Sequence, residues 1–424
     1  MAKTRIKNFN ELAITENRKL ALLIAEAGLE SIDTEAVILN SIKLQNNVLF
    51  IMGESFDLAK FKKIKVVGFG KASIDAAVAL EKILGPKIEE GAVIGLHKVS
   101  LDYIETFAGT HPIPSQMNVE AGEKIYEIIK DSSAEDLIIV LVSGGGSSLL
   151  CYSKNECDQN VKLYNGFLKS GKTIAEMNTV RKHLSILKGG GLAKVAYPAT
   201  VIGLIFSDIP GNHFNDVASG PTYKDESAIM DAQKIINEYN LGKFDLLETP
   251  KEDKYFEKVH NFVLVSNKIA VEAMAKKSEE LGLQANIIGT EIYDEVSVVL
   301  EKIFKNKSDN TVVLAAGEPM LEVTKKGGSG GRGLYMGLRA IQMGLIDENS
   351  VLIPLASDGM DNSDAAGVVI DGKTLEKIKK LGLDVDDYLD RFDAYPIFQK
   401  SGDMILTGPT GANVSDLMIL LTKK

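Results

Sequence analysis

Leu137-Ile-Ile-Val-Leu-Val142 runs directly into Ser143-Gly-Gly-Gly-Ser-Ser148. The first segment is continuously apolar, as in a strand covered on both faces. The second gathers glycines and serines where the strand must end. Glycines let successive backbone N–H groups converge without Cβ clashes, and serine hydroxyls add donors. Such a nest holds a phosphate or a carboxylate, more so when a helix follows. The same composition also serves a plain turn, so the rest of the chain has to decide.

Similar apolar runs occur at 64–68, 92–96, 200–206, 262–265, 285–288, 311–315 and 351–355. They alternate with amphipathic stretches, which predicts βαβ units and parallel sheets. Residues from about 10 to 45 read as helical. Segment 224–260 breaks the pattern, and Glu248–Lys258 is charged and poor in apolar residues. The domain junction is therefore expected near 245–260. The expected fold is α/β, with two domains of mainly parallel, Rossmann-like sheets covered by helices. The first spans 1–245 and the second 255–424.

Ligands of open α/β sheets bind beyond the carboxyl ends of the strands. Those ends here carry Gly70-Lys71-Ala-Ser73, the Ser143–Ser148 loop, Ser207-Asp208-Ile-Pro-Gly211, Ser266-Asn-Lys268, Gly317-Glu318-Pro319 and Ser357-Asp358-Gly-Met-Asp361. Small residues with a Lys, Asp or Glu recur at these ends. Lys71 opens the helix-like run 72–84, where the helix dipole disfavours a cation. An anion lying between Lys71 and the dipole removes that conflict; a solvated surface lysine is the plainer alternative.

Helical spacing over 175–187 places Asn178, Arg181, Lys182 and Ser185 on one face, with Lys188-Gly-Gly-Gly191 beyond. Basic helix faces are often merely solvated. Gly327-Gly-Ser-Gly-Gly-Arg-Gly333 holds one arginine among glycines, either an anion-binding loop or a mobile hairpin tip. Asp358, Asp361 and Asp364 superficially resemble a calcium loop. Ser363 at the sixth position and Val369 at the twelfth exclude it, and Mg²⁺ held with nucleotide phosphates stays open. No G-x-x-x-x-G-K-[ST] occurs. Gly328, Gly330 and Gly333 fit G-x-G-x-x-G, but no acidic partner follows roughly 20 residues on.

The net charge of −10 argues against binding nucleic acid or an anionic membrane. Hydrophobic content of 45% and charged content of 25% are those of a globular protein. Two cysteines, Cys151 and Cys157, suggest a reducing compartment without a disulfide framework. The polar stretch 1–8 lacks a signal-peptide core, and no apolar run reaches membrane-spanning length. A cytoplasmic protein is expected.

Taken together, the chain resembles the glycerate 2-kinase family, also labelled hydroxypyruvate reductase, whose C-terminal part is called MOFRL. The likeness rests on Gly68–Ser73, Val142–Leu150, Glu176–Ser185 with Lys188–Ala193, and Ser207–Gly211 with Ala218–Thr222. It continues through Ala356–Gly359 with Asp364–Gly367 and through Thr407–Val414. Departures occur at Ala315, Pro319, Gly333, Tyr335, Ser115 and Asn212. The resemblance implies transfer of the γ-phosphoryl of ATP to the 2-hydroxyl of D-glycerate. It places the family's site lysine on Lys71 and its glycine-loop arginine on Arg332. These are expected to grip substrate carboxylate and transferring phosphoryl across an interdomain cleft.

Nucleotide phosphates are assigned to Ser143, Gly144, Gly145, Gly146, Ser147 and Ser148, helped by Lys188, Gly189 and Gly190. The substrate is assigned to Lys71, Arg181 and Arg332. Asp208 is the first candidate for general base or Mg²⁺ ligand, followed by Asp358 and Glu318. Expected partners are a small hydroxy acid and a nucleotide, with a homodimer left open. The competing readings are a kinase of a longer sugar acid and an NAD(P)H-dependent hydroxypyruvate reductase using His111, His183 or His213. A third is a non-catalytic nucleotide sensor.

Overall fold

The computed structural model describes residues 4–170 and 174–424. Residues 1–3 of the polar stretch 1–8 lie outside them. The chain forms two compact units. One comprises Thr34–Ile209 and His213–Leu264, and the other comprises 4–33, Pro210–Asn212 and Val265–Lys424.

The first unit is built on a six-stranded sheet. Its order is Ile104–Ala108, Glu90–Gly95, Lys63–Phe69, Asp136–Ser143, Thr200–Phe206 and Val259–Val265. Pairings among the first five strands are parallel. Every residue of Asp136–Ser143 is buried, which explains its unbroken apolar run. Helix Ser73–Leu84 buries Ile74, Ala76, Ala77, Leu80 and Leu84, and ends at Gly85. Val67, Phe69, Val140, Val142 and Ile125 form part of the core. Chain order runs outward in one direction from Lys63–Phe69 and in the other from Asp136–Ser143. The two central strands therefore flank the switch point where such sheets bind ligands. Phe69 pairs with Val142, and Ser143 with Phe206. The loops starting at Gly70, Gly144 and Ser207 consequently leave the sheet along one edge.

Residues 42–45 depart from the expected helix. Thr34–Ser41 is helical, but Ile42–Gln45, Val48–Ile51 and Glu54–Asp57 form an antiparallel meander. Asn46 and Asn47 both take positive φ, the signature of a two-residue hairpin turn. Cys151 and Cys157 form a disulfide, contrary to the expectation from composition.

The second unit has a mixed sheet. Its order is Gln284–Ile292, Thr311–Gly317, Asp416–Thr422, Ser350–Ala356, Gly367–Val368 and Met404–Ile405. Only the first pairing is parallel. Asp416–Thr422 inserts antiparallel between its neighbours, so Asp416 stands opposite both Gly317 and Ala356. Leu314, Leu352 and Leu420 are fully buried in this sheet.

Residues 4–33 fold with the second unit, although the expected division grouped them with the first. Helix Glu16–Ser31 packs on Asn267–Glu280. Its buried Arg18 donates to Asp371 through Nε at 2.8 Å and to Asp403 through Nη1 at 2.8 Å. A buried guanidinium is tolerated only with such partners, and both carboxylates come from the C-terminal region. No helix among the described residues is long and apolar enough to cross a membrane.

Candidate active site

In the first unit, the loops after the two central strands lock together. Lys71 N–H donates to Gly144 O at 2.9 Å, and Ala72 N–H to Ser143 Oγ at 3.1 Å. The Ser73 and Ser143 hydroxyls are 3.1 Å apart. Gly70, at φ +123°, lies so close to Ser143 that a Cβ would come within 2.4 Å of its carbonyl oxygen.

Beyond this lock the glycines make room for chemistry. A Cβ on Gly144 would lie 1.9 Å from Asp208 Oδ2, so that carboxylate rests directly on the glycine backbone. A Cβ on Gly145 would lie 3.1 Å from His111 Cδ2 and 3.2 Å from Lys71 Cε. Lys71 is exposed and has no ion-pair partner among the described residues. Gly145 is left-handed and caps the short helix Gly146–Leu149. Among the described residues no acceptor takes the N–H groups of Gly144, Gly145, Gly146 or Ser147. The Ser147 hydroxyl is 2.9 Å from that of Ser219, which also donates to Asn178 Oδ1 at 3.3 Å. Ala218 and Ser219 both hold positive φ, a strained conformation of the kind that clusters at functional sites.

The electrostatics follow from burial. Burial, reinforced by the charges of Lys71 and Arg181, pushes the His111 imidazole down to about 4. It is therefore neutral at pH 7. Burial also lowers Arg181 to about 10. Arg181 is 8% exposed, and its Nε has no hydrogen-bond partner.

Other expected ligands turn inward. The Ser143 hydroxyl is buried in the interloop lock, and Ser148 is buried. Lys188 is fully buried; its ammonium pairs with Glu156 and donates to Leu150 O at 2.7 Å. Burial drives the Lys188 pKa down against the opposing pull of Glu156. The N–H groups of Gly189 and Gly190 donate to Ser219 O and Gly220 O, both at 2.8 Å. Gly189 and Gly190 brace the 218–220 turn, and the donors of all three residues are spent within the protein. Lys182 pairs with Asp216 at 2.9 Å and with Asp225 at 3.3 Å. His183 is buried, with Nδ1 2.8 Å from Leu247 O.

In the second unit, Arg332 opens helix Arg332–Gln342. Its Nε donates to Asp416 Oδ2 at 2.8 Å, and Nη1 lies 3.8 Å from Glu318. Burial raises Asp416 to about 6, opposed by Arg332 and reinforced by Asp361 and Glu318. Burial would lower the Arg332 pKa, but Asp416 and Glu318 hold it above its ordinary value. The glycine loop is docked: Gly328 N–H donates to Phe392 O at 3.1 Å, and Ser329 N–H to Asp393 Oδ1 at 2.8 Å.

The acidic cluster divides among structural tasks. Asp361 accepts from Leu334 N–H at 2.7 Å and Gly333 N–H at 3.2 Å, so it caps the arginine's helix. Asp358 accepts from Met360 N–H at 3.0 Å, and Asp364 from Tyr395 Oη at 2.7 Å. Among the described residues no three His, Cys, Asp or Glu side chains converge as a metal cage.

Asp416 was missed because the apolar run 417–421 was not among the expected strands, and the strand-end rule would have missed it as well. That rule looks past carboxyl ends, whereas an antiparallel strand brings its amino end to the same edge.

Unspent cations and N–H donors past the strand ends equip a protein to handle phosphate and carboxylate groups. Two family models match the chain: a domain of unknown function, DUF4147, over residues 20–247, and the MOFRL family over 311–416. A glycerate 2-kinase of Pyrococcus horikoshii is 31% identical over 95% of this chain and 97% of its own. A D-glycerate 2-kinase of Thermotoga maritima is 32% identical with the same coverage. The crystal structure of a glycerate kinase from Thermotoga maritima superposes with a TM-score of 0.84 at 30% identity, covering 95% of this chain and 99% of that one. This chain belongs to the glycerate 2-kinase family.

Proposed function

We propose that this chain is an ATP-dependent kinase that transfers the γ-phosphoryl group to the 2-hydroxyl of D-glycerate, giving 2-phosphoglycerate. The family membership supports the reaction class. The observation that carries the reading is the N–H nest of Gly144–Ser147, which no acceptor among the described residues takes, with Lys71 over Gly145 and the Asp208 carboxylate against Gly144.

Phosphoryl transfer asks a protein mainly for positioning and charge stabilisation. The nest and the Lys71 ammonium supply donors to phosphate oxygens. Asp208 takes the proton of the attacking hydroxyl. Arg332, held at Nε by Asp416, keeps its Nη groups for the substrate carboxylate or the transferring phosphoryl. Mg²⁺ fits this donor set, because it is usually held by one or two carboxylates together with phosphates. Asp208 is the first choice for holding it should another group serve as base, with Asp358 second, and when bound the ion would neutralise charge on the phosphoryl oxygens. Glu318 faces Arg332 and is better placed to steer that guanidinium.

The test is ATP consumption with Mg²⁺ and D-glycerate, the product being fed to enolase without a mutase. An enolase signal establishes the reaction and its position. ATP consumption without it points to the 3-phosphate. No consumption overturns the reading and directs the assay to longer sugar acids, then to hydroxypyruvate with NADH.

A further inference from the structure

Arg181 poses an energetic problem that its own unit does not solve. It lies on helix Ile174–Lys182, and its side chain is more than nine-tenths buried. It makes no hydrogen bond or ion pair with any described residue. Burying a guanidinium without a counter-charge is strongly unfavourable. The other buried cations of the chain avoid this: Arg18 has Asp371 and Asp403, and Lys188 has Glu156. Glu156 is committed to Lys188, whose own charge disfavours that of Arg181.

The surroundings of Arg181 indicate what is missing. Arg181 follows Asn178 by one turn on the same face of helix Ile174–Lys182, and Asn178 accepts from Ser219, whose hydroxyl is 2.9 Å from that of Ser147. The charges of Arg181 and Lys71 both act on His111. The His111 ring and the Lys71 stem both lie against Gly145. Next to Gly145 are the N–H groups of Gly144, Gly146 and Ser147, which no acceptor among the described residues takes. The Asp208 carboxylate lies against Gly144.

We infer that Arg181, Lys71 and the N–H groups of Gly144–Ser147 form a receptor for phosphate oxygens in the parallel-sheet unit. Charge and donor number select phosphate over carboxylate. Two cations lack ion-pair partners among the described residues, and a carboxylate brings one charge and two oxygens. A terminal phosphate or diphosphate brings about two charges or more and at least three acceptor oxygens, matching the guanidinium fork and the nest together. Only the ligand's source, nucleotide or phosphorylated product, rests on the kinase reading.

The experiment uses the full chain and inorganic pyrophosphate. Binding is read by calorimetry and by thermal shift in wild type, Arg181→Met and Arg181→Lys. Wild type should bind and be stabilised. Arg181→Met should melt no lower than wild type without ligand, because it removes an unpaired buried charge. It should bind pyrophosphate at least ~10-fold more weakly, the usual scale for a lost charge-assisted contact. Arg181→Lys should recover part of the affinity. ADP and 2-phosphoglycerate are then titrated, and the one whose affinity falls in step with pyrophosphate is the occupant.

Undiminished pyrophosphate binding by Arg181→Met, or a wild type that does not bind pyrophosphate, overturns the receptor. A wild type inactive on D-glycerate with an Arg181-dependent pyrophosphate response sinks the kinase reading and keeps the receptor. An active wild type whose Arg181→Met form binds normally sinks the receptor alone.

Discussion

Replacing Gly144 with alanine tests the role of Asp208 without touching a polar group. The added Cβ would lie 1.9 Å from Asp208 Oδ2. Ordinary carbon–oxygen contact is about 3.3 Å, so the carboxylate must retreat by roughly 1.4 Å. Gly144 is not among the residues with positive φ, so alanine suits its backbone and the obstacle is only a side-chain end. Stability should hold or rise slightly, by up to about 1 kcal/mol through the unfolded chain. Catalysis should not hold: a misplacement of about 1 Å costs on the order of 100-fold in rate. The assay is kcat by enolase-coupled turnover, with thermal melting alongside. Gly70→Ala is the contrasting control, because φ +123° and the Ser143 carbonyl both oppose it. That variant should lose about 1–3 kcal/mol. A Gly144→Ala enzyme that melts like wild type and keeps kcat within about threefold would refute any direct role for Asp208.

Lys71→Ala and Arg332→Ala should each reduce kcat by about 100-fold or more. Lys71→Ala should leave the melting curve in place, whereas Arg332→Ala should also lower it by taking the partner from buried Asp416. Near-wild-type turnover in either removes that residue from the machinery. Lys188→Met should cost about 3–5 kcal/mol in urea denaturation by stranding buried Glu156, and Glu156→Leu in the same chain should return much of it. An additive double mutant would show that the pair is uncoupled. Two groups oppose each other between pH 4 and 6. Unfolded His111, with an ordinary pKa of 6.5, binds a proton that the native form refuses down to about 4, so its contribution to stability is lost as pH falls through that window. Native Asp416 keeps until about 6 a proton that the unfolded chain releases near 3.8, so its contribution is lost as pH rises. His111→Gln should therefore steepen the loss of stability with rising pH over pH 4–6, and Asp416→Asn should do the reverse. Parallel pH–stability profiles for wild type and both variants would contradict these environments.

The parallel sheet was legible because burial on both faces leaves a direct mark on composition. Thr200–Phe206 is a strand over the span its apolar run delimits, and Asp136–Ser143 extends the expected one by a residue at each end. The meander at 42–57 left a weaker mark. Its strands are only four residues long, too short for a period of two to stand out from the helix that precedes them. The last strand, Asp416–Thr422, is as apolar as any yet was not among the expected strands, and its direction is set by its neighbours. Local sequence carries no sign of that, and the same fact hid Asp416.

The site divides along a physical line between donors that are free and donors that are spent. Sequence reveals residue types and spacing, and by those measures Ser143–Ser148 and Lys188–Gly190 look alike. The folded chain separates them. At Gly144–Ser147 a strand has ended, a short helix is beginning and the N–H groups have no protein acceptor. At Gly189 and Gly190 a left-handed turn delivers the N–H groups to the carbonyls of Ser219 and Gly220. Lys71 and Lys188 divide in the same way, one exposed over Gly145 and the other closed onto Glu156. The spent set still matters, because the strained 218–220 turn holds Ser219 against Ser147. A glycine-rich motif can thus serve the site by bracing it, and mutations at 188–190 should change stability before they change the affinity for any anion.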